Sequence, residues 1–457
     1  MDIRFAPHNS HLDTPKHFVD RDPHLQRLKK QKYVYQSPII KQLPTTIPGI
    51  YTVGGGRQIG KTTLLKQWML SLLEQKIIPQ AIAFFSGELI DDHHALLDLI
   101  QNHLESTPLV KLHYLIIDEV TYIRDWDKAI KYAADAGLLK NTVLVLTGSD
   151  LVLIQEARMR FPGRRGIATQ VDFHLYPLTF RETVVLKKFD LQKITGNSLD
   201  ELYKLFNDYL KHGGYLTAIN DWAISESIAP ATLRTYSDWI RGDMLRRGKQ
   251  EHYLREILSA IIKRYCTQVS WHTLAHDLSI DHHKTVADYI NLLSSMDVTF
   301  IQSALSEDKL TGAPKKAKKI IFMDPFIFHA IRLWLWPIEN PYVTQIEAAV
   351  NDPILSSKLV EACVVTHCQR LWPTYYIKAD GEVDIAYIDQ QRFWPIEIKW
   401  TNQVRPHEYK QIQKYSNARI LVKPKTSGKV GNIYLEPLPV ALLRLSPIHQ
   451  PSILLPK

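Results

Sequence analysis

The stretch IYTVGGGRQIGKTTLLKQWML, residues 50–70, contains a fold-deciding transition: four residues of strand character, a glycine-rich turn, then apolar residues at helical spacing. From Gly55 to Thr62 it matches G-x-x-x-x-G-K-[ST] in the strand–loop–helix context that pattern requires. Glycines let main-chain amides close on phosphate oxygens, and the helix start adds its positive dipole end. The amides of Gly55, Gly56, Arg57, Gln58, Ile59, Gly60, Lys61, Thr62 and Thr63 are therefore expected around a nucleotide triphosphate, ATP, with Lys61 on its β/γ oxygens and the Thr62 hydroxyl on Mg²⁺.

Working outward, IYTVGG, AIAFFS, HYLIIDEV and TVLVLTGS alternate with helix-like stretches between Pro48 and Thr147, the pattern of a parallel sheet with crossover helices. The run Leu115–Ile117 suits a strand buried on both faces and ends in Asp118 and Glu119 at the ligand crevice. Asp118 is expected as the outer Mg²⁺ ligand and Glu119 as the residue orienting and deprotonating water. The next strand offers Thr147 or Ser149 as a sensor of the γ-phosphate, and RMRFPGRRG offers Arg164 or Arg165 as an arginine finger reaching a neighbouring subunit.

Beyond Asp200, LYKLFNDYLKHGG and YLREILSAIIKRY recur at helical spacing, with Gly213 and Gly214 ending a helix. VSWHTLAHDLSIDHHKTVADYINLLSSM reads as two helices joined at Ser279-Ile280-Asp281, the second starting near His282. Lys315, Lys316, Lys318 and Lys319 follow where a wing would touch phosphates. The pairs His93-His94 and His282-His283 point apart on a helix and suit a surface rather than a metal.

Strand patterns return in EVDIAYID, RFWPIEIKW and RILVK, with a helix-like HEYKQIQKYS between the last two. Glu397 and Lys399 share one strand face, Ile396, Ile398 and Trp400 the other. Asp384 lies on a neighbouring strand and Glu361 amid apolar residues of SKLVEACVVTHC, so a divalent cation is one partner such charges would take. With two carboxylates on metal and a lysine on water, hydrolysis of a phosphodiester becomes feasible.

The segments GGRQIGKTTLL, LTGSD, FPGRRG and LYPLTFRE resemble the prokaryotic AAA-type P-loop ATPases, which also carry a YLKHGGY-like segment and a winged helix. Gly381-x-x-Asp384, Glu397-x-Lys399 and Gln411-x-x-x-Tyr415 resemble the RecB-like, Holliday-junction-resolvase-like variant of PD-(D/E)XK nucleases. The first resemblance implies Ser149 or Thr147 in the sensor position and Arg164 as the finger. The second implies Asp384 and Glu397 on metal (Mg²⁺ or Mn²⁺), Lys399 on water, Glu361 as an auxiliary metal contact, and Gln411 and Tyr415 in orientation.

The expected fold class is α/β: an N-terminal segment (1–47), an AAA-like P-loop ATPase core with a parallel sheet (48–185), a helical lid (186–250), a winged helix (251–330) and a PD-(D/E)XK-like α/β domain (331–457). A length of 457 residues accommodates this many domains, and 45% hydrophobic with 23% charged residues is ordinary globular usage, which argues against disorder. The formal charge of +9 favours a polyanionic partner. Three cysteines, Cys266, Cys363 and Cys368, make neither a disulfide framework nor a four-ligand zinc site. A polar N-terminus and the lack of ~18 uninterrupted apolar residues argue against export and membrane spanning and for a cytoplasmic protein. The expected function is an ATP-hydrolysing, homo-oligomeric, DNA-binding protein coupling the ATPase to a metal-dependent endo- or exodeoxyribonuclease acting on double-stranded or branched DNA. The alternative is a nucleotide-operated protein-binding switch with an inactive nuclease-fold domain.

Overall fold

The computed structural model describes residues 3–149, 155, 157, 159–192, 194–276, 278–280, 282–378, 381–402, 409–431 and 433–445. Asp150 of LTGSD, Asp281 of the expected turn, the first two residues of HEYKQIQKYS and residues 446–457 of the expected last domain lie outside them. The chain forms two compact units, Met1–Tyr176 with Ser295–Asp297, and Pro177–Ser294 with Val298–Lys457.

The first unit is built on a five-stranded parallel sheet of β1 (Gly49–Gly54), β2 (Ile82–Ser86), β3 (His113–Asp118), β4 (Thr142–Thr147) and β5 (Asp172–His174), in the order β2-β3-β4-β1-β5. Both faces are covered, which is why these strands read as unbroken apolar runs. Alternation sends Ile50, Phe85, Leu115, Ile117 and Leu144 into one core, with Leu96, Ile100 and Ile130. Tyr51, Val53, Phe84, Ile116 and Val145 go into the other, against Leu64, Leu65, Trp68 and Leu72 of the helix Lys61–Glu74. Because β4 lies between β1 and β3, the tips of all three converge at the C-terminal edge of the sheet.

The N-terminal segment belongs to this unit rather than trailing from it. Phe5 enters the first core and Phe18 and Leu25 the second. The Asn9 side chain pairs with the free edge of β2 as a strand would: its amide donates to Phe84 O (2.8 Å) and its Oδ1 accepts from Phe84 N (2.8 Å). An edge that would otherwise invite another chain is thereby closed.

In the second unit, after the short helix Phe180–Leu186, come the helices Asn197–His212, Leu216–Ser225 and Pro230–Arg246. Asn197–His212 ends at Gly213 with φ of 59°, a left-handed conformation, and a Cβ there would lie 1.7 Å from Asp324 Oδ1. Glycine is required by conformation and by space together. The buried Asp324 carboxylate accepts from Gly214 N and Phe326 N (2.9 Å each), joining this turn to the start of the helix Pro325–Leu335. The helices Glu251–Lys263, Trp271–His276 and His283–Ser295 are followed by an antiparallel pair, β6 (Thr299–Ser303) with β9 (Lys318–Phe322). A two-residue pairing, β7 (Leu305–Ser306) with β8 (Thr311–Gly312), lies between them.

A six-stranded mixed sheet closes the unit: β10 (Thr374–Lys378), β11 (Glu382–Asp389), β12 (Arg392–Lys399), β13 (Arg419–Val422), β14 (Gly428–Val430) and β15 (Ile433–Pro437), ordered β10-β11-β12-β13-β15-β14. β12/β13 and β13/β15 are parallel and the other pairs antiparallel. The helix Pro353–Gln369 is buried along most of its length through Leu359, Val360, Val364 and Val365. Where HEYKQIQKYS predicts an α-helix, the described part shows only a 3-10 turn, Ile412–Lys414, with Tyr409 and Ile412 in the core beside Ile420 and Val422.

Candidate functional site

At the edge where β1, β3 and β4 end, the phosphate loop folds as its glycines predict. Gly55 has φ of 147° and a Cβ there would meet Leu175 O at 2.4 Å; Gly60 has φ of 102° and caps the helix Lys61–Glu74. The Lys61 ammonium is buried, donates to Gly55 O (3.0 Å) and Gly56 O (3.1 Å), and lies 3.3 Å from Glu119 Oε1. Thr62 Oγ1 donates to Asp118 Oδ2 at 2.6 Å. Three parts far apart in sequence are thus in one place, as the motifs required.

At the third strand tip the two sensor candidates, Thr147 and Ser149, are placed differently. Thr147 Oγ1 donates to Asp118 Oδ1 (2.5 Å) and accepts from Glu119 N (2.9 Å), whereas Ser149 lies past the strand end. Glu119 sits at φ 55°, ψ 48°, and its carbonyl passes 2.4 Å from where a Cβ on Gly87 would be. Left-handed backbone at a glutamate is strained, so the Thr147 hydroxyl and the close approach of Gly87 hold it there.

An ATP–Mg²⁺ group fits these residues. The hydroxyl and carboxylate oxygens of Thr62 and Asp118 are the hard donors magnesium takes, and Glu119 Oε2 is buried with no hydrogen-bond partner. The arginines are placed elsewhere. Arg164 forks onto Asp135 at the surface, Nε–Oδ1 2.5 Å and Nη2–Oδ2 3.2 Å. Arg165 is consumed within the unit, donating to Ile50 O, Thr52 Oγ1 and Val171 O and pairing with Asp172 (2.6 Å), so it ties β1 to the approach of β5.

One feature near the loop was not visible in the motif. Lys66, one turn along the helix, is fully buried, donates to His8 O (2.6 Å), pairs with Asp22 (3.1 Å) and sits 3.8 Å from the Phe84 ring centroid. Burial pulls its pKa down to about 8, against the pull of Asp22 in the other direction. Asp22 also caps the helix Pro23–Lys29 through His24 N and Leu25 N.

Residues 48–184 match the family described as an AAA domain (AAA_14). They form an AAA-type P-loop ATPase domain. Residues 203–336, which follow the AAA domain, match a domain of unknown function (DUF8612). No curated protein matches the chain. Among solved structures, a Walker-type ATPase of Pyrococcus abyssi shares 15% identity over 62% of this chain and 91% of that one, TM-score 0.41. The Aeropyrum pernix ORC1 protein in complex with DNA shares 11% over 73% and 97%, TM-score 0.31. A Thermotoga maritima RuvB variant shares 16% over 60% and 84%, TM-score 0.30.

The distal acidic residues are also brought together, with a difference in membership. Lys399 Nζ donates to Glu397 Oε1 (2.7 Å), and Asp384 Oδ2 accepts from Ile398 N (2.8 Å), so β11 and β12 are in the expected relation. The carboxylates that converge closely enough to share an ion among the described residues are Glu361, Glu382 and Asp384. The expected metal set named Glu397 in place of Glu382; Glu382 and Asp384 are two apart on β11 and share a face, while Glu397 is held by Lys399. Burial foremost, with Asp384 adding to it, pushes both Glu361 and Glu397 up to about 8, and burial raises Asp384 as well.

Lys319 stands among these acids and not on a phosphate-contacting surface. Its side chain is 1% exposed, its ammonium donates to Glu361 Oε1 (2.7 Å), pairs with Glu382 and lies 4.0 Å from Asp384 Oδ1. Strand alternation is the reason: on β9, Lys318 points out and Lys319 in. A divalent cation does not fit this arrangement, because the ammonium takes the position between the carboxylates. Gly381 and Gln411 are adjacent, a Cβ on the glycine falling 3.3 Å from Gln411 Cβ, and Tyr415 OH donates to Glu307 (3.0 Å) rather than to the acids. No helix among the described residues is long and apolar enough to cross a membrane.

Proposed function

We propose that this protein is a magnesium-dependent ATPase acting on DNA, with Lys61 on the β/γ-phosphates, Thr62 and Asp118 on the ion, Glu119 on the attacking water and Thr147 orienting the last two. The observation that carries the reading is the 2.6 Å bond between Thr62 and Asp118 beside the buried Lys61. Magnesium, when bound, draws charge from the γ-phosphate; the chain's own part is to fix the triphosphate, and to aim Glu119. Gly55 to Thr63 supply main-chain amides, and Arg164 of a second copy would complete the site on exchanging Asp135 for phosphate oxygens.

Contact with DNA is supported by the charge of +9 and by a helix-turn-helix-like arrangement, read as a winged helix, in which Lys284, Lys315 and Lys316 are exposed. The mixed sheet with Asp384, Glu397 and Lys399 supports a PD-(D/E)XK-like fold. For its activity, the position of Lys319 favours the second reading: a nucleotide-operated switch whose nuclease-like domain is catalytically silent. A cytoplasmic location is part of the proposal.

Lys61→Ala should abolish nucleotide binding and turnover, while Glu119→Gln should retain binding and lower kcat by roughly 10²–10⁴-fold, the usual worth of a positioned base. Turnover surviving in Lys61→Ala would move the nucleotide site elsewhere. Plasmid or junction DNA incubated with Mg²⁺ or Mn²⁺ should remain uncut by wild type; cleavage lost in Asp384→Ala would restore the nuclease reading.

A further inference from the structure

We propose that the acid cluster of the C-terminal sheet is a cation socket whose resident cation is the Lys319 ammonium, and that a divalent ion enters it only when that ammonium is removed. Three carboxylates from two elements converge there, Glu361 from the helix Pro353–Gln369 and Glu382 and Asp384 from β11, with one oxygen of each within 4.8 Å of the others. Such a spacing suits an ion bridged by oxygens at ~2.0–2.6 Å, the range magnesium and calcium take. An acidic cluster alone would say little. What points to a cation is the buried Lys319 ammonium aimed into the cluster, against Glu361, Glu382 and Asp384 together.

Lys319 does not come from the element that carries a nuclease-like lysine. It belongs to β9, where its neighbour across the pair is Gln302 of β6. Gln302 is fully buried, and its amide donates to Tyr375 O (3.0 Å) and Asp384 O (2.9 Å), on the two strands that form the socket wall. Tyr376 OH donates to Ala317 O (2.7 Å), two residues before the lysine. The β6/β9 pair is therefore held against β10 and β11 on both sides of the ammonium, which cannot swing out as a surface lysine does. The lysine thus serves the sheet as an ion serves a metal site, cross-linking two elements without being lost to chelators.

The test is manganese titration of the full-length protein without nucleotide, free Mn²⁺ being read by electron paramagnetic resonance, in a Thr62→Ala background that removes the phosphate-loop hydroxyl. Wild-type Lys319 should show no Mn²⁺ binding that Asp384→Asn alters. Lys319→Met should gain one site, at least ~10-fold tighter than any in the parent, and Lys319→Met/Asp384→Asn should lose it again. Lys319→Arg, which keeps the charge, should gain none. Mn²⁺ binding by the parent that Asp384→Asn abolishes would overturn the proposal, as would a folded Lys319→Met that gains no site. A second measurement needs no variant: an amine-acetylating reagent should modify Lys315 and Lys316 but not Lys319, with or without millimolar-range Mn²⁺. Labelling of Lys319 that appears on adding Mn²⁺ would mean the ion displaces it unaided, and the resident-cation idea fails.

Discussion

Replacing Thr147 by valine keeps the shape of the β4 tip and removes one oxygen that serves two partners. In the wild type that hydroxyl donates to Asp118 Oδ1 and accepts from Glu119 N. A hydrogen bond to a charged acceptor is worth about 1.5–3 kcal/mol, and a buried amide left without a partner costs about 1–3 kcal/mol. The strained left-handed backbone at Glu119 then loses a tether, so a local cost of about 3 kcal/mol is expected, or roughly two powers of ten in the opening equilibrium of that turn. Hydrogen exchange read by mass spectrometry on the peptide spanning Glu119 should accelerate by that factor, while peptides from β1 stay as they were. With Asp118 anchored by Thr62 alone and Glu119 free to turn, kcat for ATP should fall at least ~10-fold, about 1.4 kcal/mol of barrier. Thr147→Ser, which keeps the oxygen, should behave within about twofold of wild type in both assays. Wild-type exchange and turnover in Thr147→Val would refute the claim that this hydroxyl positions the acidic pair.

Two further outcomes follow from buried charge. Asp22→Ala leaves the Lys66 ammonium buried without its counter-ion, and should lower the stability of the AAA unit by about 3–5 kcal/mol in urea unfolding, with Asp22→Leu/Lys66→Met recovering most of it; a double variant no better than the single one counts against the pair. Asp324, whose pKa burial raises to about 6 from an ordinary 3.8, binds a proton in the folded state that the unfolded chain has released, so its contribution must decline as pH rises from about 4 to 6 and level off above. The stability of wild type relative to Asp324→Asn should therefore drop by about 3 kcal/mol over that window, two pKa units at 1.36 kcal/mol each, and a flat or rising difference would disprove the assignment.

The phosphate loop, the acidic strand tip and the strands 382–389 and 392–399 were legible because each depends on residues close in sequence: glycines at a tight turn, apolar runs of fixed period, a charged pair two apart. The roles of Lys319, Glu382 and Lys66 were not. KKIIF reads as a basic turn running into a strand, and only the register of β9 against β6 says which lysine faces inward. Likewise KTTLLKQWML reads as a helix after a loop, and nothing in it announces that Lys66 will meet an aspartate 44 positions earlier in the chain.

By itself, the sequence determined that a parallel sheet would present a glycine loop, a lysine, a threonine and two acids at one edge, since backbone sterics and hydrophobic period are local properties. The tertiary structure alone decided which hydroxyl would hold the acids, Thr147, and which cation would fill the distal cluster, Lys319. Both outcomes depend on partners from distant elements, and the cost of burying a charge is settled only when those elements are packed together.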